Sequence, residues 1–261
     1  MSTRVEPWAQ GTPNWVDLSS PDPAASNAFY EALFGWEIQD SGPEMGNYGM
    51  CLLGGRPVAG IGPQMGGGDA PPAWLTYLAV DDVEKVAEAV TAHGGTLVAP
   101  PMTVGDAGRM AVGQDPTGAF VGLWQAGDTI GVERFNEPGA VVWNEHMSRE
   151  AAAARDFYGA VFGYEFSAVD GADYWTFSLG DGQESVGGLG VIGQQAPAQM
   201  PAHWMTYFMV DSVDTAAARV QELGGTISAP PWDTPFGRMT VVTDPQGTVF
   251  SLMSAPQGDE D

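Results

Sequence analysis

The sequence carries an internal repeat that covers almost its whole length, and this limits the folds open to it more than any other feature. Three short segments return at offsets of 128, 129 and 130 residues: Phe29-Tyr30 as Phe157-Tyr158, Gly108-Arg109-Met110 as Gly237-Arg238-Met239, and Trp74 with Tyr77 as Trp204 with Tyr207. Because the offset is nearly constant, the halves are products of a duplication. Two domains of similar fold are also the expected number for a chain of 261 residues.

Each half divides again into two modules that begin with a strand and a helix. In the first module a strand over 14–18 precedes a helix that Asp22 caps, and in the second a strand over 75–80 precedes a helix with a buried stripe. The pattern predicts an α+β fold with four βαβββ modules and strongly curved mixed sheets. The predicted divisions are a domain over 12–125 (modules 14–62 and 74–125), a linker over 126–140, and a domain over 141–254 (modules 141–192 and 203–254).

We expect two separately packed domains, each with one eight-stranded sheet made from its own two modules. Pairing of modules across the halves is the alternative, and the sequence does not decide between the two arrangements.

Charge and cysteine content narrow the classes of partner. The chain has 33 acidic and 9 basic side chains and a net charge of −24, which argues against binding to nucleic acid or to an anionic membrane. The single cysteine, Cys51, excludes an internal disulfide. The first residues have no apolar stretch of the signal-peptide type, so we expect a cytoplasmic protein, as a monomer or a homodimer.

The motifs resemble those of the vicinal oxygen chelate superfamily, which includes glyoxalases, bleomycin resistance proteins and extradiol dioxygenases. The resemblance lies in a helix ending Phe-Tyr-x-x-x-Phe-Gly and in the later Gly-Gly-Thr, Pro-Pro, Gly-Arg and Asp-Pro-x-Gly segments, which occur in both halves. It implies a tandem two-domain member, similar to actinobacterial glyoxalase-like proteins described as hydroxylases. Because one fold hosts unrelated chemistries, the resemblance alone does not decide the function.

Members of this superfamily hold a divalent metal in a cup, with His, Gln or Glu ligands from the first and last strands of each module. The resemblance places six residues at those positions: Trp15, Trp143, Leu75, Met205, Gly122 and Ser251. None of these side chains is a ligand type for such a cation. We therefore predict no metal and no other cofactor.

Strand alternation indicates what lies in the cup instead. Trp15 shares a strand face with Asp17, and Trp143 shares one with Glu145. Tyr77 and Tyr207 would line the cup from the second modules, and Arg109 and Arg238 could orient a ligand. Aromatic surface with a few polar groups is typical of a small-molecule pocket. In the alternative interpretation the aromatic side chains only fill the core, and the acids pair with the two arginines.

Three function classes follow from these residues. The first is a protein that binds or sequesters a small organic molecule through Trp15, Tyr77, Arg109, Trp143, Tyr207 and Arg238. The second is a metal-free lyase, isomerase or hydroxylase-like enzyme in which Asp17 or Glu145 is the general base. The third is a metal-dependent glyoxalase or dioxygenase with relocated ligands.

Overall fold

The computed structural model describes residues 2–43, 46–64 and 71–256. It contains two eight-stranded mixed sheets, one from each half of the chain, and four helices. A short two-stranded ladder joins β1 (Ser2–Thr3) to β10 (Arg134–Phe135). No helix in the described residues is long and apolar enough to cross a membrane.

The first half contains the eight strands of its sheet and two helices. Its elements are β2 (Pro13–Ser20), α1 (Pro23–Phe34), β3 (Glu37–Asp40), β4 (Gly49–Leu53), β5 (Arg56–Pro63), β6 (Ala73–Ala79), α2 (Val83–Ala92), β7 (Thr96–Val104), β8 (Gly108–Gln114) and β9 (Phe120–Ala126). The strand order is β3-β4-β5-β2-β6-β9-β8-β7.

The second half repeats this order of elements. They are β11 (Val141–Ser148), α3 (Ala151–Phe162), β12 (Glu165–Ala168), β13 (Tyr174–Ser178), β14 (Gly187–Val191), β15 (His203–Met209), α4 (Val213–Glu222), β16 (Thr226–Thr234), β17 (Gly237–Thr243) and β18 (Val249–Ser254). The strand order β12-β13-β14-β11-β15-β18-β17-β16 matches that of the first sheet.

The two modules of each half pair with each other through their first strands. β2 runs antiparallel to β6, and β11 runs antiparallel to β15. Neither sheet closes into a barrel, because each ends on two edge strands. The predicted α+β fold with two eight-stranded sheets is confirmed. Each module pairs with the other module of its own half, a point on which the sequence allows both arrangements.

Local sequence signals explain where the first helix begins and ends. The Asp22 carboxylate accepts a hydrogen bond from the backbone N–H of Ala25 at 3.2 Å, and Pro23 occupies the first helical position. Gly35 ends the helix at φ 70°, in the left-handed region that favours glycine. The apolar stripe of α2 is likewise buried as its spacing predicts.

The expectation of separately packed domains is wrong, because the two largest hydrophobic cores each contain residues of both halves. Phe34 of α1 lies 5.0 Å, between ring centroids, from Phe208 of the second sheet. On the other side, α3 packs with residues of β6 and β9 in a second shared core. Between the cores, the Asn144 side-chain oxygen accepts hydrogen bonds from Thr76 at 3.0 Å and Thr206 at 3.2 Å. The sheets therefore enclose the helices between them.

Two buried carboxylates accept hydrogen bonds from the opposite half of the chain. Asp244 accepts a hydrogen bond from Tyr30 of α1 at 3.1 Å, and Asp115 accepts one from Tyr158 of α3 at 3.0 Å. Asp115 also lies 2.8 Å from Nε2 of His146, whose side chain is fully buried. His146 thus lies on the helix-bearing face of its sheet, next to Tyr158 of α3.

Candidate functional site

Each sheet has one face without helices, and the predicted aromatic and acidic residues lie on that face. Alternation along β2 places Trp15 and Asp17 there, while Val16 and Leu18 enter the core beneath α1. The cross-strand partner of Trp15 is Tyr77. We call this group with Tyr48 the first cup, and its counterpart in the second half (Trp143, Glu145, Tyr174 and Tyr207) the second cup.

In the first cup, two tyrosine hydroxyls converge on one carboxylate. Tyr77 donates to Oδ2 of Asp17 at 3.1 Å, and Tyr48 approaches the same oxygen at 3.5 Å, the outer limit of a hydrogen bond. The indole N–H of Trp15 donates to the Tyr48 hydroxyl at 3.0 Å. The four side chains therefore form one connected network.

The second cup contains the same network around a longer acid. Tyr207 donates to Oε1 of Glu145 at 2.6 Å, and the indole N–H of Trp143 donates to the Tyr174 hydroxyl at 2.8 Å. Tyr174 also lies near enough to Glu145 to lower its pKa. The structure thus brings together six of the eight residues that the sequence indicated, three in each half.

The two additional tyrosines, Tyr48 and Tyr174, were not found by sequence reasoning. Each lies over a glycine of the neighbouring strand: a Cβ at Gly60 would be 1.7 Å from the Tyr48 hydroxyl, and one at Gly188 would be 1.8 Å from that of Tyr174. Tyr48 comes directly before β4, and Tyr174 is the first residue of β13. Their separation of 126 residues falls outside the 128–130 frame of the other repeats.

Burial changes the acidity of both carboxyl groups. It raises the pKa of Asp17 to about 7, although the hydrogen bonds from Tyr77 and Tyr48 act in the opposite direction. Burial likewise raises the pKa of Glu145 against the opposing effects of Tyr207 and Tyr174. A pKa of about 7 lets the Asp17 carboxyl donate or accept a proton in contact with a ligand near neutral pH.

The structure corrects the expectation for the two arginines. Arg109 forms a bidentate ion pair with Glu84 of α2, and Arg238 forms one with Asp214 of α4. Both side chains therefore lie on the helix-bearing faces, where they join each helix to its sheet. Neither reaches a cup, so neither orients a ligand there nor pairs with Asp17 or Glu145.

The donors available in the cups do not fit the divalent metal that the superfamily resemblance implies. Each cup has one carboxylate. At the first-strand ligand positions, the indoles of Trp15 and Trp143 donate hydrogen bonds to tyrosine hydroxyls. At Gly122, where a last-strand ligand is expected, a Cβ would lie 2.1 Å from the Tyr77 ring, which fills that space. No cluster of three or more His, Cys, Asp or Glu side chains that could hold a metal occurs in the described residues.

Comparison with known proteins agrees with this duplicated fold. The family model described as "Glyoxalase/Bleomycin resistance protein/Dioxygenase superfamily" matches residues 12–123 and again 146–252. A Mycobacterium bovis protein named "Putative glyoxylase CFP32" is 43% identical over 259 residues, which cover 96% of this chain and 97% of that protein. The "Anthracycline biosynthesis protein DnrV" of Streptomyces peucetius is 36% identical over 270 residues, with 96% of each chain covered.

A solved structure shows the same fold at low sequence identity. The Mn(II)-bound glyoxalase from Novosphingobium aromaticivorans superposes with a TM-score of 0.66 at 16% identity, covering 95% of this chain and 84% of that one. At this identity the likeness concerns the fold alone. With two family matches that together span most of the sequence, the chain belongs to the glyoxalase/bleomycin resistance protein/dioxygenase superfamily.

Proposed function

We propose that the protein binds a small, flat organic molecule on a helix-free sheet face, beside the buried acid. The observation that carries this proposal is the same indole, phenol, carboxyl and phenol network in both halves. Apolar ring surface with a few oriented polar groups is the usual composition of a small-molecule site. Stacking on an aromatic wall would contribute about 0.5–1.5 kcal/mol beyond the burial of area.

The relatives suggest a chemical class for the ligand. DnrV and a second relative, DauV, are named for anthracycline biosynthesis. Anthracyclines are planar, fused-ring compounds that carry hydroxyl and carbonyl groups. A molecule of this class would stack on the indole surface and place a hydroxyl or carbonyl against Asp17 or Glu145. We therefore take a hydroxylated polycyclic aromatic as the ligand class.

Charge favours a neutral ligand over an anion. The two arginines that could have compensated a negative group are paired with Glu84 and Asp214 on the far side of the sheets. The net charge of −24 also repels anions from the surface. A protonated carboxyl can donate a hydrogen bond to a neutral carbonyl without leaving a buried charge unpaired.

A second candidate function is a metal-free enzyme that uses the buried acid as a general base. The pKa of about 7 at Asp17 favours it, because a base works best when its pKa lies near the working pH. Glu145 would have the same role in the second half, since burial raises its pKa too. Lyase and isomerase reactions are the classes in which such a base, without an oxidant, removes a proton from carbon.

Titration with dihydroxyanthraquinone, a planar three-ring dione, tests the proposal. Quenching of tryptophan fluorescence should be saturable in the wild-type protein, and the double variant Asp17→Asn/Glu145→Gln should weaken binding at least about tenfold. Arg109→Ala, outside both cups, is the control and should leave the affinity unchanged. Absence of saturable binding, or equal binding by the double variant, would refute this ligand class.

Turnover separates the two candidates. Chromatography and mass spectrometry of the incubated probe should return it unchanged if the protein only binds it. If the acid acts as a base, an analogue of the probe with a C–H bond next to its carbonyl, such as a tetralone, should exchange that hydrogen for deuterium in D2O. The double variant should then lose about 10²–10⁴ in exchange rate.

A further inference from the structure

The first cup is covered by two other parts of its own chain. The indole N–H of Trp8 donates to the backbone oxygen of Val132 at 3.1 Å, and the ring of Trp8 lies 4.9 Å from that of Phe135. Trp124 donates its indole N–H to the backbone oxygen of Thr129 at 2.8 Å. The segment before β2 and the segment after β9 are thus fixed against each other.

This cover completes a small hydrophobic core on the helix-free face. Trp15, Trp124 and Val132 belong to it and expose 7%, 8% and 4% of their surfaces, and Trp8 and Phe135 pack against them. A cleft of about 180 Å³ remains beside Trp8 and Trp124. This cleft is lined by none of Trp15, Asp17, Tyr48 and Tyr77. Within the first cup, the buried rings of Trp15 and Tyr77 leave little surface on which a fused-ring molecule could stack.

The second cup is built on the equivalent strands of its own sheet, but its side chain differs at the position that Trp124 occupies in the first sheet. Strand register places Met253 opposite Met239, where the first sheet pairs Trp124 with Met110. Trp143 is half-buried, whereas its counterpart Trp15 is buried. Part of the indole surface of the second cup is therefore available to a ligand.

A second indole lies on the same face of this sheet, at its far edge. Trp232 of β16 pairs with Met239 and is half-buried, and the corresponding residue of the first sheet is the exposed Met102. Met205 of the central strand β15 is the cross-strand partner of Glu145, so it lies on the same face, and it is also half-buried.

From these differences we propose that only the second cup takes the ligand, at one molecule per chain, and that the first cup is a structural core. The assignment rests on the proposed function. Methionine side chains are flexible and polarisable, so Met205, Met239 and Met253 can adjust to a ring placed between the two indoles. Glu145 supplies the polar contact. The ligand class that fits is an uncharged fused-ring aromatic with a hydroxyl or carbonyl at one edge.

Isothermal titration of the full-length protein with dihydroxyanthraquinone tests the assignment. We expect a stoichiometry of one. Met253→Trp copies the residue that fills the first cup, and Trp232→Ala removes one indole wall; each should weaken binding at least about tenfold. Met102→Ala, at the position matching Trp232, is the control and should leave the affinity within about twofold.

The outcomes separate the assignment from the function on which it rests. A stoichiometry of two, or an affinity that falls with Met102→Ala but not with Trp232→Ala, would overturn the assignment while leaving ligand binding intact. No binding to the wild-type protein would overturn both. Because Trp124 is already accommodated in the first sheet, Met253→Trp should fold; circular dichroism verifies this, and Trp232→Ala provides an independent result.

Discussion

The buried contact between His146 and Asp115 allows a quantitative test of how the halves are joined. The Asp115 carboxylate accepts hydrogen bonds from Tyr158, from the Thr117 backbone and hydroxyl, and from the Ala119 backbone, in addition to its contact with His146. The His146 and Asp115 side chains are fully buried.

The equivalent site around Asp244 has no histidine among the described residues. Asp244 keeps the hydrogen bond from Tyr30 and accepts the backbone N–H groups of Gln246 and Thr248, both at 2.9 Å. Leu18 takes the strand position that corresponds to His146, since each pairs with the equivalent tryptophan of the next strand. The fold therefore already tolerates a leucine at this position.

These contacts predict very different effects for two substitutions. Asp115→Ala leaves several buried donors without an acceptor and should lower the free energy of unfolding by about 3–5 kcal/mol. His146→Leu removes the hydrogen bond with Asp115, worth about 0.5–1.5 kcal/mol, and a longer contact of 3.4 Å with the Thr117 hydroxyl. The leucine adds buried apolar surface in return. Nδ1 of His146 also has no partner in the described part of the chain, so its removal costs nothing further. The net change for His146→Leu should stay within about 1.5 kcal/mol.

Urea unfolding at neutral pH, followed by circular dichroism, measures both changes. Asp244→Ala is the matched control in the other half and should destabilise the protein by an amount similar to that for Asp115→Ala. If His146→Leu costs as much as Asp115→Ala, the remaining donors do not satisfy the carboxylate, and the comparison with Asp244 fails. A cost below about 1 kcal/mol for Asp115→Ala would show that the buried contacts across the boundary contribute little.

Three further predictions concern the whole chain and the first cup. Because the cores are shared between the halves, calorimetry should record one unfolding transition; two resolved transitions would show independent domains. The folded state keeps Asp17 protonated up to about pH 7, whereas Asp17 in the unfolded chain ionises near pH 3.8. The wild-type protein should therefore lose up to about 4 kcal/mol of stability relative to Asp17→Asn as the pH rises through this window, and parallel pH profiles would contradict the raised pKa. Elemental analysis of the purified protein should find far less than one transition metal per chain, and a stoichiometric metal would contradict the donor analysis.

Strand alternation was enough to predict the residues of the cups that belong to first strands. Trp15 and Asp17 are two residues apart in one strand, so their common face follows from the backbone alone. Tyr48 precedes β4 and Tyr174 begins β13, so their positions beside the acids depend on two successive pairings. These are β4 with β5 and β5 with β2 in the first half, and β13 with β14 and β14 with β11 in the second. The sequence contains no local signal for that register.

The arginines and the shared cores show a second limit. Arg109 and Arg238 lie in the repeated Gly-Arg-Met segment. The sheet face on which their side chains lie depends on the register between neighbouring strands, which places them beside α2 and α4. Similarly, an apolar stripe indicates that a helix is buried without indicating which sheet covers it. Pairing across the halves, as between Phe34 and Phe208, is therefore a property of the tertiary fold.

Methyl NMR of the protein labelled at its 12 methionines tests most directly where the ligand binds. With dihydroxyanthraquinone added, ring currents should shift the methyl signals of Met205, Met239 and Met253, assigned through single Met→Leu variants. The signals of Met50 and Met110, which pack in the first cup, should remain unchanged. Shifts confined to Met50 and Met110, or no saturable shift at any methionine, would contradict the proposal that the second cup is the ligand site.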